Sequence, residues 1–381
     1  MTETPPIQPV LNVLMATTSF PHDAADWKGR FIHDLARSLD ASGQIRLSLW
    51  GPPGALPGRV VSANTDSDDQ WLGELARRGG VAHLLRKHPL AGLRYGRGIL
   101  SRLREACRRT HPDLYHVNWL QLALALPDDG SPAYVSVLGS DFGLLRLPGM
   151  AQLLRRAFGK RHTLLAPNAD WMIPKLRASF GDVAEIQPNP FGVTRDWFDI
   201  ERRPAESGEW LVVSRITRSK LGDLMAWGEG LFDNERRLRL LGPMQENIKL
   251  PSWIIHEGHT NPSELRERWF PRCKGILTLS RHDEGRPQVM IEAMAAGVPV
   301  IASRIPAHED LIRHGETGWL VDSQEELVDA LLQAQTASIA ADVGSNARNW
   351  IRDHIGTWDD SARRCITGYR DLIARKSSNV G

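Results

Sequence analysis

The stretch LTLSRHDEGRPQVMIEAMAAGVPVIAS, residues 277–303, decides how the chain is read. Its ends, LTLS and VPVIAS, are short apolar runs of strand composition, and a loop and an apolar segment of helical length lie between them. Pro287 at the first helical position and Gly297 just past the end predict a helix of about ten residues. The main-chain N–H groups of Gly285, Arg286 and Gln288 are then expected to face a ligand, because a helix start favours negative charge; Pro287 has no N–H to offer. Glu284 stands in the loop before the helix and Glu292 about one and a half turns inside it. Two carboxylates so placed can address two separate parts of one ligand. The bland alternative makes Glu284 a compensator of the helix dipole and Glu292 a solvated helix residue.

The alternation of strand and helix continues outward in both directions. Downstream of residue 200, WLVVSR, LRLLGP, SWIIHEG, KGILTLS, VPVIAS and GWLVD read as strands. Upstream, residues 12–18 read as a strand, 19–29 as a loop, and FIHDLARSLDASG as a helix with Phe31, Ile32, Leu35 and Leu39 on one face. IRLSLWG, DLYHVNW and AYVSVLGSD follow as strands, and the polar ERRPAESGE reads as a linker. The expectation is an α/β chain of two Rossmann-like, doubly wound domains, 1–200 and 209–355, with a helix over 356–381. Ligands of such sheets sit at the carboxyl ends of strands, so residues after VVS, LTLS and VLGS are expected to line one cleft between the domains.

The run through Glu284 and Glu292, continued by HGETGWLV, resembles the EG…E signature of family 4 glycosyltransferases, retaining enzymes of the GT-B fold. The resemblance implies that Glu284 lies against the donor sugar and Glu292 takes the ribose hydroxyls. In VVSRITRSK, Arg215 and Lys220 are similar to the family's R…K pair, which implies a clamp on the donor diphosphate. Charge growing on a departing nucleoside diphosphate needs such fixed cations. Family members carry a Gly-rich loop after the first strand; here Gly29 stands alone, between Lys28 and Arg30. VSVLGSD resembles a strand end that carries a sugar-contacting His in the family, but Leu138 occupies that place and Asp141 remains. Ile305, Pro306 and Ala307 precede Glu309 where many members have a Gly pair. The resemblance further implies a C-terminal helix that crosses back to the N-terminal domain, donor on the C-terminal domain, acceptor on the N-terminal one, and a role in making cell-envelope polysaccharide.

Composition narrows the classes. With 24% charged and 41% hydrophobic residues among 381, the chain is an ordinary globular one, and no stretch reaches a membrane span. MTETPPIQPV has no basic leader, which predicts a cytoplasmic protein. Three separated cysteines predict buried thiols rather than disulfides or a metal site. Asp66 and Asp68 mimic a metal-binding DxD but fall in what reads as a polar loop without His or Cys partners, so no metal and no cofactor beyond the UDP- or GDP-sugar substrate is expected. His116, at a strand end, reads as a satisfied core residue.

A formal charge of +2 and no groove-reading motif argue against nucleic acid. The block bounded by Arg77 and Arg109 holds ten basic residues and one acidic one, interleaved with Val81, Leu84, Leu85, Leu90, Leu93, Ile99, Leu100 and Leu103. That composition suits an anionic membrane surface, or a lipid-linked acceptor beside a glycan one. The rivals are a glycosidase, which needs no diphosphate clamp, a sugar-nucleotide epimerase of the same architecture, and a catalytically silent sugar-nucleotide-binding subunit.

Overall fold

The computed structural model describes residues 9–23, 26–204, 208–282 and 284–378; MTETPPIQ at the start and residues 205–207 of the expected linker lie outside them. The chain forms two compact units, 1–191 with 358–381, and 192–357. In the first, β1 (Leu11–Ala16), β2 (Ile45–Trp50), β3 (Val61–Ser62), β4 (Leu114–Asn118), β5 (Ala133–Val137), β6 (Thr163–Pro167) and β7 (Glu185–Ile186) make a seven-stranded sheet ordered β3-β2-β1-β4-β5-β6-β7. In the second, β8 (Trp210–Val213), β9 (Leu238–Leu241), β10 (Ile254–Gly258), β11 (Gly275–Thr278), β12 (Val300–Ser303) and β13 (Trp319–Val321) make a six-stranded sheet ordered β10-β9-β8-β11-β12-β13. Every strand pairing among the described residues is parallel.

Each sheet is buried on both faces, so alternate residues of one strand serve different cores. Along β1, Leu14 and Ala16 join one apolar cluster while Leu11, Val13 and Met15 join the other. Along β8, Leu211 faces one cluster and Trp210 with Val212 the opposite one. The helix Trp358–Ser378 belongs to the first unit: Trp358, Ala362, Cys365, Ile366, Tyr369 and Leu372, at helical spacing, pack with Ile32, Leu35, Ala36 and Leu39 of the helix Arg30–Ala41.

Two local expectations are corrected. Residues 66–69 are not a loop but the start of the helix Asp66–Arg77, where Thr65 and Asp68 cap each other reciprocally. The buried Asp68 carboxylate meets Arg102 at 2.9 Å and Arg109 at 3.6 Å, so the second acid of the DxD look-alike is engaged inside the fold while Asp66 is exposed. The polar segment after residue 200 is not free either. Val193, Trp197 and Ile200 pack into the core of the second unit, and the half-buried Arg202 donates through its guanidinium to the Gly297 carbonyl at 3.0 Å. The chain therefore passes between units at Phe191 and Gly192, ahead of ERRPAESGE.

Candidate functional site

A doubly wound sheet opens a crevice where its strand order reverses. In the second unit that reversal lies between β8 and β11, and the segments leaving these two strands carry Arg215, Lys220 and Glu284. After β8, Thr217 caps a short helix, Arg218–Leu221, by accepting from the Lys220 N–H at 3.2 Å. Gly222 ends it with φ 53°, and a methyl group there would stand 1.8 Å from the Leu279 carbonyl oxygen. Only glycine permits that approach. The two segments are then stitched: the Arg281 N–H donates to the Ser219 carbonyl at 2.9 Å, the Ser280 hydroxyl to the same carbonyl at 3.3 Å, and the Asp223 N–H to the Leu279 carbonyl at 3.2 Å. Arg281 also donates through Nε to Asp223 at 2.6 Å.

This stitching brings Lys220 Nζ to 2.7 Å from Glu284 Oε1, with the side chains only 16% and 8% exposed. Burial pushes the Glu284 carboxyl up, and Lys220, helped by His308 and the Ser280 hydroxyl, outweighs that and holds it below its ordinary range. His308 is fully buried, and its Nδ1–H donates to the Ser303 carbonyl at 2.8 Å. Burial pushes its ring down, against the opposing pull of the Ser303 carbonyl and Glu284. The Ser303 hydroxyl donates to the Ser280 carbonyl at 2.6 Å, tying the end of β12 to the same loop. Sequence reasoning missed Gly222, Ser280, Ser303 and His308. Gly222, just past a short cap-and-cation run, carried the one readable signal.

The helix runs Gln288–Ala295, and Pro287, with ψ 111°, precedes it rather than opening it. Gly297, left-handed at φ 69°, ends it as expected. Glu292 is half-buried within this helix and Arg215 half-buried after β8. The Arg286 guanidinium forms a buried ion pair with Asp310, so that side chain braces the loop. Gln288 donates through its side-chain amide to the Gly192 carbonyl at 2.9 Å. Gly285 and Arg286 follow Glu284 in the same loop, next to Pro287.

The first-unit candidates divide. Gly29 caps the helix Arg30–Ala41 at φ 68°, and a methyl group there would stand 2.5 Å from the Ser19 main chain. The loop after β1 closes only over a glycine. Asp141 is buried, and its carboxylate accepts from the N–H groups of Leu120 at 2.6 Å and Leu138 at 2.7 Å. Burial pushes it up to about 6 in spite of those bonds. His116 is a core residue, held by Tyr369 at 2.6 Å and Ser136 at 2.8 Å. Among the described residues no group of three or more His, Cys, Asp or Glu could hold a metal ion, and no helix is long and apolar enough to cross a membrane.

Residues 214–336 match the family described as Glycosyl transferases group 1. The D-inositol 3-phosphate glycosyltransferase of Mycolicibacterium gilvum is 26% identical over 175 residues, 42% of this chain and 39% of that protein. Its counterpart in Rhodococcus opacus is 31% identical over 170 residues, 39% and 36% of the two chains. The chain thus spans well under half the length of these curated relatives. Sucrose-phosphate synthase from Thermosynechococcus elongatus superposes with a TM-score of 0.68 at 14% identity, over 96% of this chain and 100% of that one. HepE from Anabaena, solved with UDP and glucose, gives 0.65 at 13% identity, over 95% and 100%. The parallel sheets of seven and six strands are those of the GT-B fold, and within the second sheet's unit residues 214–336 are similar to the glycosyl transferases group 1 family.

Proposed function

We propose that the chain is a retaining glycosyltransferase that moves a sugar from a UDP- or GDP-sugar to a hydroxyl of a glycan, glycolipid or lipid-linked acceptor, with fixed cations in place of a metal ion. The observation that carries this reading is the Lys220–Glu284 pair at the crossover of the second sheet. Without donor the two charges neutralise each other; a diphosphate shares Lys220, and Arg215 adds its charge. The bond from the anomeric carbon to the diphosphate breaks with its electron pair going to phosphate. The acceptor oxygen bonds to the same face, and its proton passes to a diphosphate oxygen. Glu284 opposes the positive charge that grows on the anomeric carbon, and Glu292 takes the ribose hydroxyls. Gly285, Arg286, Pro287 and Gln288 shape the loop around the donor.

HepE was solved with UDP and with UDP-glucose, which favours uridine donors as the first to try. The purified protein is incubated with UDP-glucose, UDP-N-acetylglucosamine and GDP-mannose, and nucleotide release is followed. Slow release without acceptor is expected from one of them, lowered roughly a hundredfold or more in Lys220→Ala. Absence of release and of any thermal shift with all three overturns the reading.

The acceptor reading is completed by a membrane. The helices Gly80–Lys87 and Pro89–Thr110 sort the leucines of the basic block: Leu84, Ile99 and Leu103 are core, whereas Leu90 is 84% and Leu93 55% exposed. Leu90, Leu93, Arg94 and Arg97 share one helix face, with Arg86 and Lys87 exposed just before it. We propose that this face rests on anionic lipid, placing the protein peripherally on the cytoplasmic side, with about 1 kcal/mol from each engaged cation. Co-sedimentation with phosphatidylserine vesicles at low salt is expected, and is lost when Arg86, Lys87, Arg94 and Arg97 become Ser. Equal sedimentation of that variant removes the membrane from the proposal.

A further inference from the structure

The first sheet has its own crossover, between β1 and β4, and Trp119 is the first residue beyond β4 there. Its backbone lies at φ 73° and ψ 135°, a region that glycine enters freely and bulky side chains rarely do. Core packing does not account for this strain. Trp50, Trp210 and Trp319 are fully buried, whereas Trp119 is only half-buried. It is nonetheless held firmly. Its main-chain N–H donates to the Ser136 carbonyl at 2.9 Å, and its indole N–H to the Ser140 hydroxyl at 3.0 Å. Phe31 meets it edge-on, with ring centres 6.5 Å apart and planes at 70°. The adjacent Asn118 ties β4 to β1 by donating to the Ala16 carbonyl at 3.2 Å. At the end of β5, the neighbouring strand, Leu138 is half-buried against the core.

We infer that Trp119, flanked by Phe31, is an acceptor-binding residue that stacks on the C–H face of a neutral pyranose. The inference deepens the transferase reading and rests on it for the word acceptor. The indole spends its polar edge on Ser140, so it offers a ligand only its π face, which suits the C–H face of a sugar ring. Phe31, Trp119, Leu138 and Ser140 carry no charge, which suits an uncharged ring and not a diphosphate. Position agrees, since crevices of doubly wound sheets open outside the crossover. The strain has a use if it fixes an aromatic ring where a relaxed backbone would not hold it.

The test is direct and needs no turnover. Saturation-transfer NMR is recorded on the full chain with methyl glucoside, methyl galactoside and methyl mannoside as probes. Wild type is expected to saturate the ring C–H protons of at least one probe, Trp119→Phe to retain the effect, and Trp119→Leu to weaken it about fivefold or more. Trp119→Gly relaxes the backbone, so it is expected to match or exceed the wild-type melting temperature while losing the saturation. Failure of all three probes to saturate on wild type, or equal saturation in the Leu and Gly variants, overturns the proposal. Saturation that persists although no sugar nucleotide is turned over leaves the stacking residue standing and removes the transferase reading alone.

Discussion

Lys220 and Glu284 pair at 2.7 Å, and neither is well hydrated. Removing one leaves the other desolvated and uncompensated, a change that costs about 3 kcal/mol for a buried pair. Glu284→Gln and Lys220→Met are therefore each expected to destabilise the second unit, and the double variant to lose less than the sum, with a coupling of about 1–3 kcal/mol in urea unfolding. Additive losses would mean that the pair is not a pair in solution. His116 gives a second residue-scale expectation. Burial pushes its ring down to about 3, so the folded form stays neutral where the unfolded chain takes a proton. Stability then falls as pH drops from about 6.5 towards about 3, by about 1.4 kcal/mol per unit. Urea unfolding at pH 7.5 and 5.5 should show a smaller acid loss in His116→Gln; an equal loss in both proteins would place the proton elsewhere. His116 could be read from its place in a buried strand, but its Tyr369 partner, far along the chain, could not. The inward turn of the Asp141 carboxylate, onto the Leu120 and Leu138 N–H groups, is equally illegible in a short motif.

Elements were legible where their signals are local. The helix Gln288–Ala295 was framed by Pro287 and Gly297, and the strands by apolar runs. The helix Asp66–Arg77 is hidden in the sequence because its cap, Thr65 with Asp68, has the composition of a polar loop. The loops that make the candidate site were illegible, because their shape comes from contacts between segments sixty residues apart, with Gly222 seated on Leu279. That seat can be separated from the general preference of glycine for positive φ. Gly230, at φ 76°, has open space around it, so Gly230→Ala should cost only the left-handed backbone, about 1–2 kcal/mol. Gly222→Ala, at φ 53°, meets the Leu279 oxygen as well, so it should cost clearly more and lower nucleotide release by moving Lys220 away from Glu284. Thermal unfolding of the two variants, with equal losses as the contrary result, decides whether the close approach matters.

At the scale of the whole chain, the alternation of strands and helices announced two doubly wound sheets, but composition misplaced the passage between units. ERRPAESGE looks like a linker because it is polar, while Val193, Trp197 and Ile200 just before it are core residues of the second unit. Buried area, not polarity, decides where a unit begins. The same argument fixes what the far end of the chain does. The helix Trp358–Ser378 buries Trp358, Ile366, Tyr369 and Leu372 in the first unit, and Tyr369 reaches His116 in the central strand. At about 1.5–3 kcal/mol for each large apolar side chain, these four contribute on the order of the 5–15 kcal/mol by which a whole domain is stable. A chain ending at Thr357 should thus fail to fold its first unit, although every residue it lacks is C-terminal. The second unit, whose core takes nothing from that helix, should remain folded. Calorimetry of the shortened chain is expected to lose one transition, and limited proteolysis to digest residues 1–191 while sparing 192–357. Two surviving transitions would show that the first sheet holds its shape without its last helix, and would reduce that helix to a cover.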